Sequence, residues 1–215
     1  MAAGIRTDPM KKLLHCAMIA ALIFLCGSGM GLSRTQSLLH EWCGIVMFVC
    51  VLLHLIVNRR WFKSLTRGKY TANRTVMTAA DLLLIVAILL IAVSSVVISG
   101  YIFASLDISG TLLGRRIHMV TTAWLFVISG IHYGMHLRSG KWNVLLYIAG
   151  IAGIVALILC RLYERLFLLN EFAFTPNYPA WIIYLLHALM FATFMALGSI
   201  LKYLMTKKGK ANEKR

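Results

Sequence analysis

Apolar stretches close to the length of a membrane crossing recur along the whole chain, with little sequence between them. They fall at 13–32, 38–58, 76–104, 112–137, 142–160 and 179–205. A helix needs about 20 apolar residues to cross a hydrocarbon core of ~30 Å, and inside lipid a helix satisfies all of its own backbone hydrogen bonds. Composition agrees: 60% of residues are hydrophobic and 13% are charged, against about 25% charged in an ordinary soluble domain. The expectation is an all-α integral membrane protein, a six-transmembrane-helix bundle forming a single domain over residues 1–215. Apart from the basic tail 207–215, no low-complexity segment or long linker interrupts it.

The formal net charge of +15 would suggest nucleic acid in a soluble protein. Here the basic residues gather at the ends of apolar runs, where they act as orientation signals and lipid-headgroup contacts. No soluble domain is left to carry a nucleic-acid surface, so no nucleic-acid partner is expected. Of the 22 Lys and Arg, 17 fall at the N-terminus, the second–third loop, the fourth–fifth loop and the C-terminal end. The remaining five are Arg34, Arg115, Arg116, Arg161 and Arg165. The positive-inside rule then puts both termini in the cytoplasm, which requires an even number of spans. The first run, with Lys11 and Lys12 before it, resembles a signal peptide. Its length and the lack of a clean small-x-small site favour a retained first helix. The expected location is multi-pass in a bacterial inner membrane.

The five cysteines form no C-x-x-C and no C-x-x-C-H, so neither a zinc ribbon nor covalent haem attachment is expected. They read as small packing residues in helices.

Histidines carry the chemistry. All seven lie within or at the ends of apolar runs, where an ionisable side chain is costly and points to function. His40 and His54 are 14 residues apart on the second span, and His118 and His132 are 14 apart on the fourth. Fourteen residues make nearly four helical turns, so each pair shares a face, with its members about 21 Å apart along the axis. The second and fourth spans run in the same direction. His40 and His118 therefore share an outer level, and His54 and His132 an inner one. Two imidazoles facing each other at one depth are what a six-coordinate haem b requires. The pattern offers that arrangement twice, which predicts two noncovalent haem b groups. His136 competes with His132, because five whole turns separate it from His118. It would sit roughly 6 Å too deep for His54, which favours His132.

Around these levels, Gly44, Gly130 and Gly134 are expected to let a porphyrin approach the backbone. Ser94, Ser95, Ser99 and Gly100 on the third span, and Gly27, Gly29 and Gly31 on the first, are small residues of the same kind. Haem propionates call for basic partners. Arg115 and Arg116 are candidates outside, Arg59 and Arg60 inside, and His136 is a further inner candidate. His15 and His187 lack a spaced partner and are candidates for quinone or propionate contact. Glu41 and Asp81 are the acids nearest the two levels.

Two blocks carry a family resemblance. One is His40-Glu41-Trp42-Cys43-Gly44, then His54, then Asn58-Arg59-Arg60-Trp61-Phe62-Lys63. The other is Leu113-Gly114-Arg115-Arg116-Ile117-His118, followed by Gly130-Ile131-His132-Tyr133-Gly134-Met135-His136. Over most of residues 10–205 the chain resembles the bacterial membrane family domain of unknown function 4405. That family in turn resembles cytochrome-b-type membrane subunits of respiratory oxidoreductases. The resemblance implies a haem-binding bundle and supplies no substrate. His15 and His187 stand outside the family pattern.

The resulting expectation is a membrane subunit that moves electrons across the bilayer through two stacked haems. It would connect a quinone or quinol pool to an extracytoplasmic redox protein. The alternatives are a histidine-containing transporter or proton relay without haem, and a structural or assembly membrane protein without cofactor.

Overall fold

The computed structural model describes residues 9–28, 34–106, 108, 112–137, 142–171, 174 and 176–212. Among these every regular element is helical. Six long helices dominate: α1 (Pro9–Gly27), α2 (Arg34–Val57), α4 (Ala72–Ile98), α5 (Leu112–His136), α6 (Trp142–Leu159) and α8 (Ala180–Asn212). Two five-residue helices, α3 (Arg60–Ser64) and α7 (Leu162–Leu166), fill connections.

Local chemistry sets several boundaries. Thr71 caps α4, its hydroxyl oxygen accepting from the backbone N–H of Arg74. Pro179 precedes α8, and its carbonyl accepts from Ile182 and Ile183 at 2.9 and 3.2 Å. A proline suits that position because the first helical N–H groups have no partner anyway. The fifth apolar run does not continue as one helix through residues 161–169. Arg161 adopts a left-handed conformation (φ 47°), which costs a non-glycine residue energy and breaks the helical path. The chain restarts as α7, folded back against α5 and α6.

Helix α5 is the centre of the bundle. It packs along α4 on one side and α8 on the other, while α6 packs on the far side of α8. Its Phe126 is fully buried and meets the rings of Phe191 and Phe194, at centroid distances of 5.4 and 6.2 Å. Glycines make the α5–α8 and α6–α8 seams close. A Cβ at Gly134 would collide with the backbone of Met195, one at Gly198 with that of Ile131, and one at Gly153 with that of Leu189. Such close approach is how helices associate in lipid, where no hydrophobic drive favours helix over acyl chain.

Helix α2 is the opposite case. Met47 is its one buried residue. It leans on α1 and touches α4 only marginally, and among the described residues no Cα of α2 comes within 8 Å of α5. Large apolar side chains cover the outside of the bundle, among them Val86, Leu89 and Val93 on α4 and Ile151, Val155 and Ile158 on α6. A continuous apolar exterior of this kind suits lipid rather than water.

Four helices, α1, α2, α4 and the 180–207 part of α8, are long and apolar enough to cross a membrane. The other two expected spans form helices but fall short of that standard. In α5, Arg115, Arg116, two threonines and three histidines dilute 25 residues. Helix α6 has only 18 residues.

Candidate functional site

Histidines from α1, α2, α5 and α8 collect at two levels of the bundle. At the outer level His40 on α2 and His118 on α5 face each other, with ring centroids 6.4 Å apart. Their helices stay apart at the backbone, so the rings reach toward each other across a gap. Gly44, one turn from His40, borders open space, with no heavy atom within 4 Å of where its Cβ would be.

Hydrogen bonds define the state of both rings. Ser28 Oγ donates to the carbonyl of Leu25 (3.1 Å) and lies 2.8 Å from His40 Nδ1. A hydroxyl has one proton to give. With that proton on Leu25 O, the Ser28 oxygen is free to accept from an Nδ1–H of His40. The same logic holds on α4. Ser94 Oγ donates to Ile91 O (3.1 Å) and lies 3.3 Å from His118 Nδ1, as does Ser95 Oγ. Serine hydroxyls thus hold both imidazoles at Nδ1, and a proton on Nδ1 would leave Nε2 as a bare lone pair, the form in which histidine ligates a metal.

Beside His40, Glu41 turns away and locks the start of the α4–α5 connection. Its carboxylate accepts from Ser99 Oγ (2.8 Å), Gly100 N (3.0 Å) and Ile102 N (2.9 Å). Glu41 is one of the two acids that the sequence sets nearest the two levels. Its three acceptor contacts make it a clamp on the backbone.

The inner level is more crowded. His15 of α1 lies against His54 of α2 (centroids 5.2 Å), and His132 lies against His136 on α5 (4.7 Å). Asp81 of α4 approaches His132, with Oδ1 2.8 Å from Nδ1, although the approach is off the N–H axis. The Nδ1 of His54 is buried without a partner among the described residues. His54 lies within electrostatic reach of His15, His132 and Asp81. No ring contact among the described residues joins His54 directly to His132. Below them Asn58 Nδ2 donates to the carbonyl of His54 (2.8 Å).

The basic candidates spread differently from expectation. Arg59 and Arg60 are exposed. Arg115 is exposed too, and Arg116 pairs with the exposed Glu171. Gly130 and Gly134 do not face the α2–α5 gap. A Cβ at Gly130 would strike Phe194 of α8, and one at Gly134 the backbone of Met195. The reason is angular: a two-residue offset from His132 turns about 200° around the helix. Those two glycines belong to the α5–α8 seam, and Gly44 is the one that borders free space. Gly29 and Gly31 lie outside the described residues.

One residue escaped sequence reasoning. Arg165 on α7 points into the bundle, its Nη1 donating to the carbonyl of Cys26 (3.3 Å). Its Nε is buried without a partner among the described residues. Burial pulls its guanidinium below the usual arginine value, with the neighbouring Cys26 and Cys160 thiols opposing. A signal was available, since Arg165 is one of only five basic residues on the expected outer side. His187 lies close by on α8, buried, with Nδ1 donating to Ile183 O (2.8 Å).

No three His, Cys, Asp or Glu side chains among the described residues converge as a metal-binding group. A haem asks less of the protein, because the porphyrin supplies four nitrogens and the chain only the axial pair. Two imidazoles on opposite faces of one iron, each bonded at about 2 Å, have centroids roughly 6 Å apart. The outer pair meets that spacing, and Gly44 borders open space one turn from His40. No family model matches the chain, and neither a curated protein nor a solved structure does.

Proposed function

We propose that this chain is a six-span membrane electron carrier that holds two haem b groups, an outer one on His40 and His118 and an inner one on His54 and His132. The observation that carries this reading is the outer pair: two imidazoles, each held at Nδ1 by serine, with ring centroids 6.4 Å apart across a gap between helices. When bound, haem b supplies a one-electron couple, and the protein sets its position and surroundings. Ser28, Ser94 and Ser95 orient the outer ligands through Nδ1. Asp81 stands beside His132, its Oδ1 2.8 Å from Nδ1, and would add negative charge next to that ligand. The apolar walls of α1, α2 and α4 keep water from the ligands. Levels about 21 Å apart suit a relay from a membrane quinol or quinone pool to an extracytoplasmic redox protein, in a bacterial inner membrane.

A second reading, a histidine proton relay without haem, draws on the inner level, where His15 pairs with His54, His132 with His136, and Asp81 approaches His132. A reduced-minus-oxidised optical spectrum of the purified full-length protein separates the two. Electron transfer predicts b-type bands from low-spin haem, and a spectrum without haem bands leaves the proton relay standing.

A further inference from the structure

Arg165 is a half-buried cation whose Nε is buried without a partner among the described residues, and no anion is described beside it. Its neighbour Glu164 is buried as well, but pairs with Arg161. No other carboxylate among the described residues comes within ion-pair distance of Arg165. A charge drawn out of water without a counter-charge is costly. One backbone carbonyl does not offset that. Arg165 also lines a small cavity with Gly27, Cys160, Leu162 and His187, with room for about one water molecule.

Its position gives the missing partner. Arg165 binds the carbonyl of Cys26, and two residues on Ser28 holds His40. The Arg165 charge is felt at both His40 and His187. Arg165 therefore stands at the outer level, behind one of its two ligand histidines. Arg116, the sequence candidate for this task, is already paired on the surface.

We infer that Arg165 is a carboxylate-binding residue built into the outer site, and that its partner is a propionate of the outer haem. This rests on the dihaem reading above. Arginine is suited to the task because its fork meets a carboxylate with two parallel hydrogen bonds. Gly27 makes the room: a Cβ there would press on the Tyr184 ring, 2.7 Å away, and tighten the same cavity.

The test compares two ligands on full-length protein purified without haem: haem b, and its dimethyl ester, which lacks free carboxylates. Binding is read optically in wild type, R165Q and R165K. Haem b uptake at the outer site should weaken about tenfold in R165Q, as expected for loss of a charge-assisted hydrogen bond, and R165K should fall between. Uptake of the dimethyl ester should be the same in all three, within about twofold. The inner site serves as the folding control and should be unchanged. An equal loss for both ligands would make Arg165 a packing residue, and no loss for either would leave it without this role. Both results overturn the inference while sparing the dihaem reading. If added acetate raises uptake of both ligands in wild type alone, the carboxylate is a free one and the haem assignment is overturned. Should R165Q fail to fold, the acid-against-ester comparison in wild type and R165K decides. A wild-type chain that takes up neither ligand overturns the dihaem reading itself.

Discussion

The outer and inner histidine levels use the same residue in different settings. Outside, two rings are fixed singly by serines, across a gap bordered by Gly44. Inside, the rings sit in two pairs, His54 touches His15 rather than His132, and Asp81 approaches His132. A neutral hydroxyl fixes a tautomer without adding charge. A carboxylate adds basicity and couples the site to protons. The outer level is thus specified by geometry, whereas the inner level has spare histidines and is specified by charge.

Substitutions can break this contrast. The largest effect should come from His118→Ala. Each outer ring has no substitute, so the outer haem is lost and haem per chain falls by about half, with His40→Ala giving the same result. A pyridine haemochrome assay measures it. His132→Ala should remove the inner haem and spare the outer one, while His136→Ala keeps both. If low-temperature optical and EPR spectra show the reverse for that pair, the inner ligand is His136.

Two glycines sharpen the comparison from the packing side. Gly134→Leu should destabilise the fold by about 3 kcal/mol or more, because it overpacks against the Met195 backbone. Gly44→Leu should leave thermal unfolding of the haem-free chain nearly unchanged, because its new side chain points into open space. It should still exclude the outer haem. Thermal melts with and without haem distinguish the two.

Asp81→Asn should act more gently. Removing the carboxylate beside His132 lowers ligand basicity and raises the inner potential relative to the outer, which redox titration would read. The smallest effect belongs to Ser95→Ala. Ser94 also approaches His118 Nδ1 at 3.3 Å, so one serine covers for the other, and the outer spectrum should barely move.

Much of this contrast was legible in the sequence. The 14-residue spacing on two helices running in the same direction brought His40 opposite His118, and equal spacing survives any small error in helix boundaries. The six apolar runs anticipated the six long helices. The serines on Nδ1 were visible only as small residues, because a hydrogen bond from Ser28 to His40 depends on how the chain leaves α1. Gly130 and Gly134 misled because nearness in sequence to a ligand says nothing about helix face. Arg165 was missed because it follows a left-handed break at Arg161, which composition does not announce.

The central claim is that one chain holds two haems by two stacked pairs of histidines. Its most direct test is haem b per polypeptide in purified wild-type protein, from pyridine haemochrome absorbance and amino-acid quantitation on one sample. The account predicts a value near two, falling to near one in His118→Ala. A wild-type value near zero, or one that His118→Ala leaves unchanged, would contradict it.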